Sequence, residues 1–436
     1  MIEVSGKYTT AKIMIDEIEP VCLSQIHKFL NHPAFTNPVA IMPDTHAGKG
    51  SVIGFTMKMG DKVIPNTIGV DISCAIRSVH LGQILIPSIS DLDKKIRQNV
   101  PFGKNVRETT FHNYNTFFRR DLLITQASYI KNLLNSNVPI PDYDEKWFKH
   151  KCEKEIGIGV DYALCSLGSL GGGNHFIEFG SSPLSDTWYT IHTGSRNFGY
   201  KICSYWQKIA SKEMMKKRTV ALKERIEILK TKHSGEELGK KVKELKVELG
   251  LDNVQQGELD YLEGDNVIKY LYDMIFASTY ANVNRTIISI IIDKILGKDN
   301  FHSIETVHNY IDFQDLIIRK GAVRSYIGEK FILPFNQEDG LLICEGKSNP
   351  EWNFSAPHGS GRALARGVAK RTLDLKVYQE GMKNAGVYSS SIGMNTLDES
   401  KAAYKDSAMI EKAIEPTATI IDRIKPFLNL KDGGND

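Results

Sequence analysis

The spacing of apolar positions changes character several times along the chain. Between residues 36 and 80, "PVAIMPDTHAGKGSVIGFTMKMGDKVIPNTIGVDISCAIRSVHLG" alternates short apolar runs with glycine, proline and asparagine, which predicts several short strands joined by tight turns. Residues 88–170 are more charged and carry amphipathic helical pieces such as "SDLDKKIRQNV" and "DLLITQASYIKNLLNS". Strands resume in "GGGNHFIEFG" and "TWYTIHTGSRNFG". From about 200 to 250 the chain becomes rich in Lys and Glu with apolar residues at helical spacing, and "HSG" interrupts it, so a helical hairpin projecting from the body is expected. A long helix is expected over 262–297, then strands around "VRSYIGEKFILPF" and "GLLICEG", then "FSAPHGSGRALARGVAKRTL", a loop running into a basic helix. No tandem repeat and no proline- or serine-rich linker divides the chain, which predicts one compact mixed domain over 1–436 with a helical insertion at 205–250.

Composition narrows this picture. Of 436 residues, 41% are hydrophobic and 25% charged, the balance of a soluble globular protein. The formal net charge is only +3, so a nucleic-acid partner would have to be held by a local basic surface and not by bulk charge. The Lys/Glu hairpin could serve as an RNA-touching arm, but its interleaved acids favour a solvated helix pair. The most apolar run, "TIISIIIDKIL" at 286–296, is interrupted by an aspartate and falls short of the roughly 18 to 20 apolar residues of a membrane span. The N-terminal stretch has no basic segment followed by an apolar core, so a cytoplasmic location is expected. Cys22, Cys74, Cys152, Cys165, Cys203 and Cys344 lack CxxC spacing, which argues against a disulfide framework or a zinc ribbon.

The candidate chemistry starts at "GGGNHFIEF", residues 171–179. Three glycines strip away side chains before an amide, an imidazole, an aromatic ring and a carboxylate appear, a pattern that suits backbone pressed against a ligand and equally a mobile loop. In "IGVDISCAIRS", Asp71 and Cys74 could ligate a divalent metal or could be a turn aspartate beside a buried cysteine. His175, His192 and His308 each end an apolar run in a small polar context; with Asp71 and Cys74 they form a candidate ligand set for two close metal ions sharing the thiolate. His358 differs in kind. It precedes Gly-Ser-Gly and a helix expected to carry Arg362 and Arg366, so it is either a nucleophile above a phosphate cradle at a helix N-terminus or an incidental neighbour of a helix cap.

Taken in order, "MPDTHAGKGSVIG", "GVDISCA", "GGGNHFIEF", "HTGSRNFG", "VHNYIDF", "RKGAVRS" and "HGSGRALAR" resemble the RtcB family of RNA-splicing ligases, from about residue 36 to the C-terminus. The resemblance implies an α+β fold and an enzyme that uses GTP and manganese to join a 5′-hydroxyl RNA end to one bearing a 2′,3′-cyclic phosphate or 3′-phosphate. It places two manganese ions on Asp71, Cys74, His175, His192 and His308, with the cysteine between them, and guanylylation on His358. Nucleotide contacts are implied for Asn174, His175, Phe176, Ile177, Glu178, His308, Asn309, Asn336, His358, Gly359, Ser360, Gly361, Tyr404 and Lys431, the lysine on the guanine. RNA with broken ends is the implied partner, no membrane is implied, and there is room for an activating protein partner.

The chain departs from the family pattern where "LPFNQEDG" at 333–340 replaces a Gly-Ser-Met-Gly loop, with Asn336 as the substitute contact, and where His-Gly-Ala-Gly-Arg reads His-Gly-Ser-Gly-Arg. Arg77, Arg196, Arg319, Lys320 and Arg324 are candidates for holding the RNA backbone, although ordinary surface charge is the better reading of any single one. A dinuclear metal phosphoesterase acting on RNA ends is the alternative; it would need the Cys/His/Asp cluster but neither the His358 cradle nor the C-terminal lysine. A non-enzymatic RNA-binding subunit would predict lost ligands, and none is lost.

Overall fold

The computed structural model describes residues 1–110, 114–251, 257–298 and 302–434. The "KDGGND" tail therefore ends outside the described residues. Glycine- and proline-punctuated apolar runs do form strands, and these assemble into two main sheets. One is six-stranded, in the order Ile2–Ser5, Thr10–Ile13, Val39–His46, Ile53–Lys58, Ile317–Lys320, Tyr310–Ile311. The other is seven-stranded, in the order Ser303–Val307, Ala75–Gly82, Thr187–Thr193, Phe176–Ser181, Ala418–Leu430, Leu341–Gly346, Lys330–Pro334. Pairing within them is antiparallel except between Thr10–Ile13 and Val39–His46. Mixed helices and strands in a single family domain make the fold α+β, as expected.

Register in the seven-stranded sheet is what gathers the site. Ile76 and Phe176 both pair with His192, and Val307 pairs with Ala75. Cys74, His175, His192 and His308 are thereby brought to one end of the sheet although 234 positions separate the first from the last in "GVDISCA" and "VHNYIDF". A one-residue slip would send these side chains to the opposite face.

Asp265–Leu296, a 32-residue helix, runs through the core with most of its side chains buried. It is long and apolar enough by length and composition to cross a membrane, more than the 286–296 run suggested, but 72% of the qualifying window is buried inside the fold. Among its buried polar residues, Asn284 and Arg285 reach the surrounding loops. The amide of Asn284 accepts from Gly168 N and Ser169 N and donates to Ser169 O and Gly194 O. Arg285 donates to the carbonyls of Ser73 and Thr193 and pairs with Glu305. The core helix thus ties down the three loops that present the ligands, satisfying backbone groups that burial would otherwise leave costly.

The hairpin expected at 205–250 consists of Arg196–Lys230 and Gly235–Glu248, so its first helix starts earlier than the Lys/Glu texture indicated. Phe198, Ile202, Cys203, Trp206 and Ala210 bury its first turns in the body, and its outer part is mostly exposed. Arg225 with Glu248 and Lys241 with Glu244 pair its interleaved charges on the surface. All six cysteines are free and buried.

Candidate active site

At the sheet end, the donor atoms lie in a chain. Asp71 Oδ2 is 3.0 Å from His175 Nε2, which is 3.5 Å from Cys74 Sγ; that sulfur is 3.3 Å from His192 Nε2, itself 3.3 Å from His308 Nε2. His175 Nδ1 donates to Leu170 O at 3.0 Å, which orients the ring with Nε2 toward Asp71 and Cys74. Burial drives the His192 and His308 imidazoles well below their usual pKa, helped by neighbouring histidines, so both are neutral donors. Burial alone would raise Asp71, yet the His175 hydrogen bond and charge together with Arg196 hold it at about 2. Burial and the Asp71 charge push the Cys74 thiol up.

Cys74 Sγ and the Nε2 atoms of His175 and His192 lie within 4.8 Å of one another, and all three residues are buried. The set therefore fits divalent metal, soft thiolate and imidazole on one side and carboxylate and imidazole on the other. Backbone strain concentrates here as well: Ser73, Arg196 and Asn309 adopt positive φ of 54°, 55° and 61° beside Cys74, Ser195 and His308.

His358 stands next to this cluster, its ring centroid 4.9 Å from that of His308. It follows the short strand Ser355–Pro357, and its Nδ1 lies 2.7 Å from Oδ2 of the fully buried Asp44 on the strand Val39–His46. With Nδ1 donating to that carboxylate, Nε2 keeps its lone pair. Gly361 packs so closely on Asp44 O, at φ 72°, that a Cβ there would meet the oxygen at 2.1 Å. The expected helix N-terminus is not where the sequence suggested: the basic helix is Arg366–Thr372, so Gly359, Ser360, Gly361 and Arg362 form a loop before it. The glycines prevent continuation of helix from His358, and the cradle is a turn.

A cavity of about 420 Å³ opens beside His358. Of the implied nucleotide residues, Asn174, Phe176, Glu178, Asn336, His358, Gly359, Ser360, Gly361, Tyr404 and Lys431 line it. His175 and His308 sit in the donor cluster behind it. Ile177 does not line it: strand alternation turns its side chain into the main hydrophobic core, fully buried. Asn309 also lies outside the lining, accepting from Gly321 N and donating to Asp71 O. Asn336 borders the cavity, but its amide is spent on its own turn with Glu338 N, Asp339 N and the Asp339 carboxylate.

Sequence reasoning missed the residue that organises the cationic wall. Glu399, almost fully buried, pairs with Arg362, with Arg366 at 2.7 Å and with Lys431 at 3.1 Å, and accepts from the Tyr404 hydroxyl at 2.6 Å. Burial would raise its pKa, but Lys431, Arg362 and Arg366 hold it at about 2. Burial lowers Lys431 against the pull of Glu399. Glu178 is the opposite case: burial lifts it to about 8 although Asn429 donates to it at 2.8 Å.

None of the five cations proposed to hold the RNA backbone is free to do so in the way expected. Arg319 is fully buried against Asp312 and Asp315, and Arg324 pairs with Asp312 and Glu329. Arg77 pairs with Glu305, Lys320 donates to the carbonyls of Lys49, Ser51 and Asn66, and Arg196 donates to Ser169 Oγ and Gly103 O. Their charges are used to hold the fold together.

Residues 25–432 match the family model described as tRNA-splicing ligase RtcB. The chain is similar to the RNA-splicing ligase RtcB of Escherichia coli (strain K12), 24% identical over 95% of each chain. It is also similar to the tRNA-splicing ligase RtcB of Methanococcus maripaludis, 24% identical over 93% of this chain and 90% of the relative. For that of Archaeoglobus fulgidus the identity is 22% over 96% of this chain and 92% of the relative.

Proposed function

We propose, from the premise that this chain belongs to the RtcB family of RNA ligases, that it uses GTP and manganese to join a 2′,3′-cyclic phosphate or 3′-phosphate RNA end to a 5′-hydroxyl end through a histidine–GMP intermediate. The observation that carries the finer reading is the placing of His358 between the donor cluster and the cationic cavity, oriented by Asp44. Asp71, Cys74, His175, His192 and His308 are the residues that would hold two manganese ions. Such ions, when bound, supply positive charge at the reacting phosphates and Lewis acidity toward the attacking oxygen.

The chain's own residues account for the rest. Asp44 keeps the proton of His358 on Nδ1, so that Nε2 is the nucleophile toward the α-phosphorus of GTP; a P–N bond forms as the bond to pyrophosphate breaks. The turn Gly359–Gly361 lets backbone approach the phosphates, while Arg362 and Arg366, anchored on Glu399, contribute positive charge without rearrangement. Once water has opened a cyclic phosphate, the RNA 3′-phosphate oxygen takes the guanylyl group and returns the lone pair to His358. The 5′-hydroxyl then displaces GMP. Lys431 faces the base and Glu178 accepts from its N–H groups.

Intact mass after incubation with GTP and Mn²⁺ tests the reading. A GMP adduct is expected, absent in His358→Ala. A dinuclear phosphoesterase would form none in either protein, and that outcome would overturn the proposal.

A further inference from the structure

The hairpin's charges are interleaved in the sequence, but the helix that carries most of them sorts them by face. Arg196–Lys230 holds ten Lys and Arg against three Glu, a surplus of seven where the whole chain has only +3, so the rest of the molecule is net acidic. The second helix, Gly235–Glu248, is balanced at four Lys and four Glu. At about 100° per residue, Lys201, Lys208, Lys212, Lys216, Lys223 and Lys230 fall within an arc of roughly 80° on one face, and none of the three Glu lies in that arc. The four cations elsewhere on the helix all have partners. Arg196 donates to Ser169 Oγ and Gly103 O, Lys217 pairs with Glu263, Arg218 with Asp260 at 2.6 Å and Arg225 with Glu248 at 2.7 Å. Of the six in the stripe only Lys230 is paired, with Glu227; among the described residues no ion pair or hydrogen bond engages the other five ammoniums, and all but Lys201 are exposed.

Lys208, Lys212 and Lys216 stand at successive four-residue steps, where like charges destabilise a helix, so the stripe serves an anion better than it serves the fold. Its position says which anion. The helix starts immediately after Ser195, whose N–H donates to Asp71 Oδ1 at 3.0 Å, and so springs from the donor cluster. Lys201 comes about 8 Å along the axis and Lys230 roughly 40 Å further out. Cations nearer the candidate active site are already spent, Arg362, Arg366 and Lys431 on Glu399, and the five candidates for the RNA backbone on partners of their own. We propose that the lysine face of Arg196–Lys230 holds the phosphodiester backbone of the RNA substrate on one side of the break, tracking it away from the ends to be joined. The inference rests on RNA being the substrate of this ligase family and goes beyond it in naming the surface; it needs neither the nucleotide nor the metals.

Binding of a single-stranded RNA of about 30 nucleotides with a 3′-phosphate, measured against salt concentration, tests this, because each phosphate contact contributes about −0.7 to the slope of log K against log[salt]. Lys212→Gln, Lys216→Gln and Lys223→Gln together are expected to weaken binding at least tenfold at about 0.1 M salt and to flatten the slope by about 2. Glutamine has nearly the helix propensity of lysine, so the fold is kept. In ligation the same variant should raise KM for the RNA with kcat unchanged. Lys240→Gln, Lys243→Gln and Lys246→Gln remove the same charge from the second helix and are expected to change the slope by less than about 1. An unchanged slope in the stripe variant overturns the inference, and so does an equal loss in the second variant, which would assign the effect to bulk charge. If RNA binding is kept and retention by phosphatidylserine vesicles is lost instead, the face belongs to a lipid surface and the inference is overturned. GMP adduct formation with GTP and Mn²⁺ should be the same in all three proteins; its absence from the wild type would bring down the nucleotide reading and leave the RNA-binding result standing.

Discussion

The two walls of the cavity handle charge in opposite ways. On the side proposed to hold metal, the donors are neutral histidines and a thiol within 3.3–3.5 Å of one another. On the nucleotide side Glu399 alone gathers Arg362, Arg366 and Lys431, and Asp398 holds Arg366 at 2.8 Å and Lys370 at 3.4 Å. On the reading proposed above, the first wall would be completed by cations. The second is complete already, its cations positioned before any nucleotide arrives. A binding surface built from mutually neutralised charges is preorganised, and it carries fold stability as well as affinity. A surface of unpaired donors carries affinity alone.

That difference is broken most severely by removing the shared sulfur. Cys74→Ala is expected to abolish manganese loading and nucleotide adduct formation, a loss of at least about a thousandfold in ligation, as removal of a ligand does when the metal serves the chemistry. The metal-free variant should melt only slightly below the metal-free wild type, having lost one buried sulfur and its contacts to His175 and His192; what disappears is the rise in Tm expected from Mn²⁺ in the wild-type protein. Metal analysis beside thermal melting checks this. Two manganese ions retained by the variant would remove Cys74 from the ligand set.

The nucleotide wall should respond in reverse. Glu399→Gln keeps the shape but leaves three buried or half-buried cations facing a neutral amide, and breaking a buried charge cluster from one side costs about 3–5 kcal/mol. Denaturant unfolding should show this loss equally with and without Mn²⁺. A variant as stable as the wild type would mean that the three cations find other partners, and the wall would not be the preorganised surface described.

How much of this was legible in the sequence follows from where the information sits. His175, His308 and His358 stand directly beside asparagine or glycine at the ends of apolar runs, so that much of the candidate site is written in local pattern. Sheet register, which no local pattern contains, then brings them together. Asp44 carried one readable signal, a carboxylate inside the apolar run "AIMPDTH", where a buried charge needs a partner. Glu399 carried none: "TLDES" looks like a surface turn, and its partners lie far off in sequence or on a loop. The five cations that were candidates for the RNA backbone could not be decided from sequence, because a sequence shows a charge without its counter-charge. For Arg319 the clue was present, since Asp315 lies four residues before it. Ile177 was carried along with its neighbours although strand alternation alone places it on the opposite face.

The smallest effect sharpens the comparison inside the nucleotide wall, where Glu178 is the exception to its neutralised neighbours. Burial raises its carboxyl to about 8, so in the free protein near neutral pH it is largely protonated and cannot accept from two guanine N–H groups at once. Binding guanine must therefore release a proton. Below pH 8 affinity for GTP should rise with pH, by at most tenfold per unit, and level off above it, since one pKa unit corresponds to about 1.4 kcal/mol. Folding runs the other way. A carboxyl whose folded pKa is raised gives stability that is fully present below its unfolded value near 4.5 and is lost as pH rises through about 8. The free protein should thus lose stability across the window in which it gains affinity, and Glu178→Gln should flatten both curves. Titrating GTP at pH 6, 7, 8 and 9 into the His358→Ala protein, where transfer cannot follow binding, separates affinity from chemistry; a pH-independent affinity there would mean that Glu178 does not face the donor edge of the base.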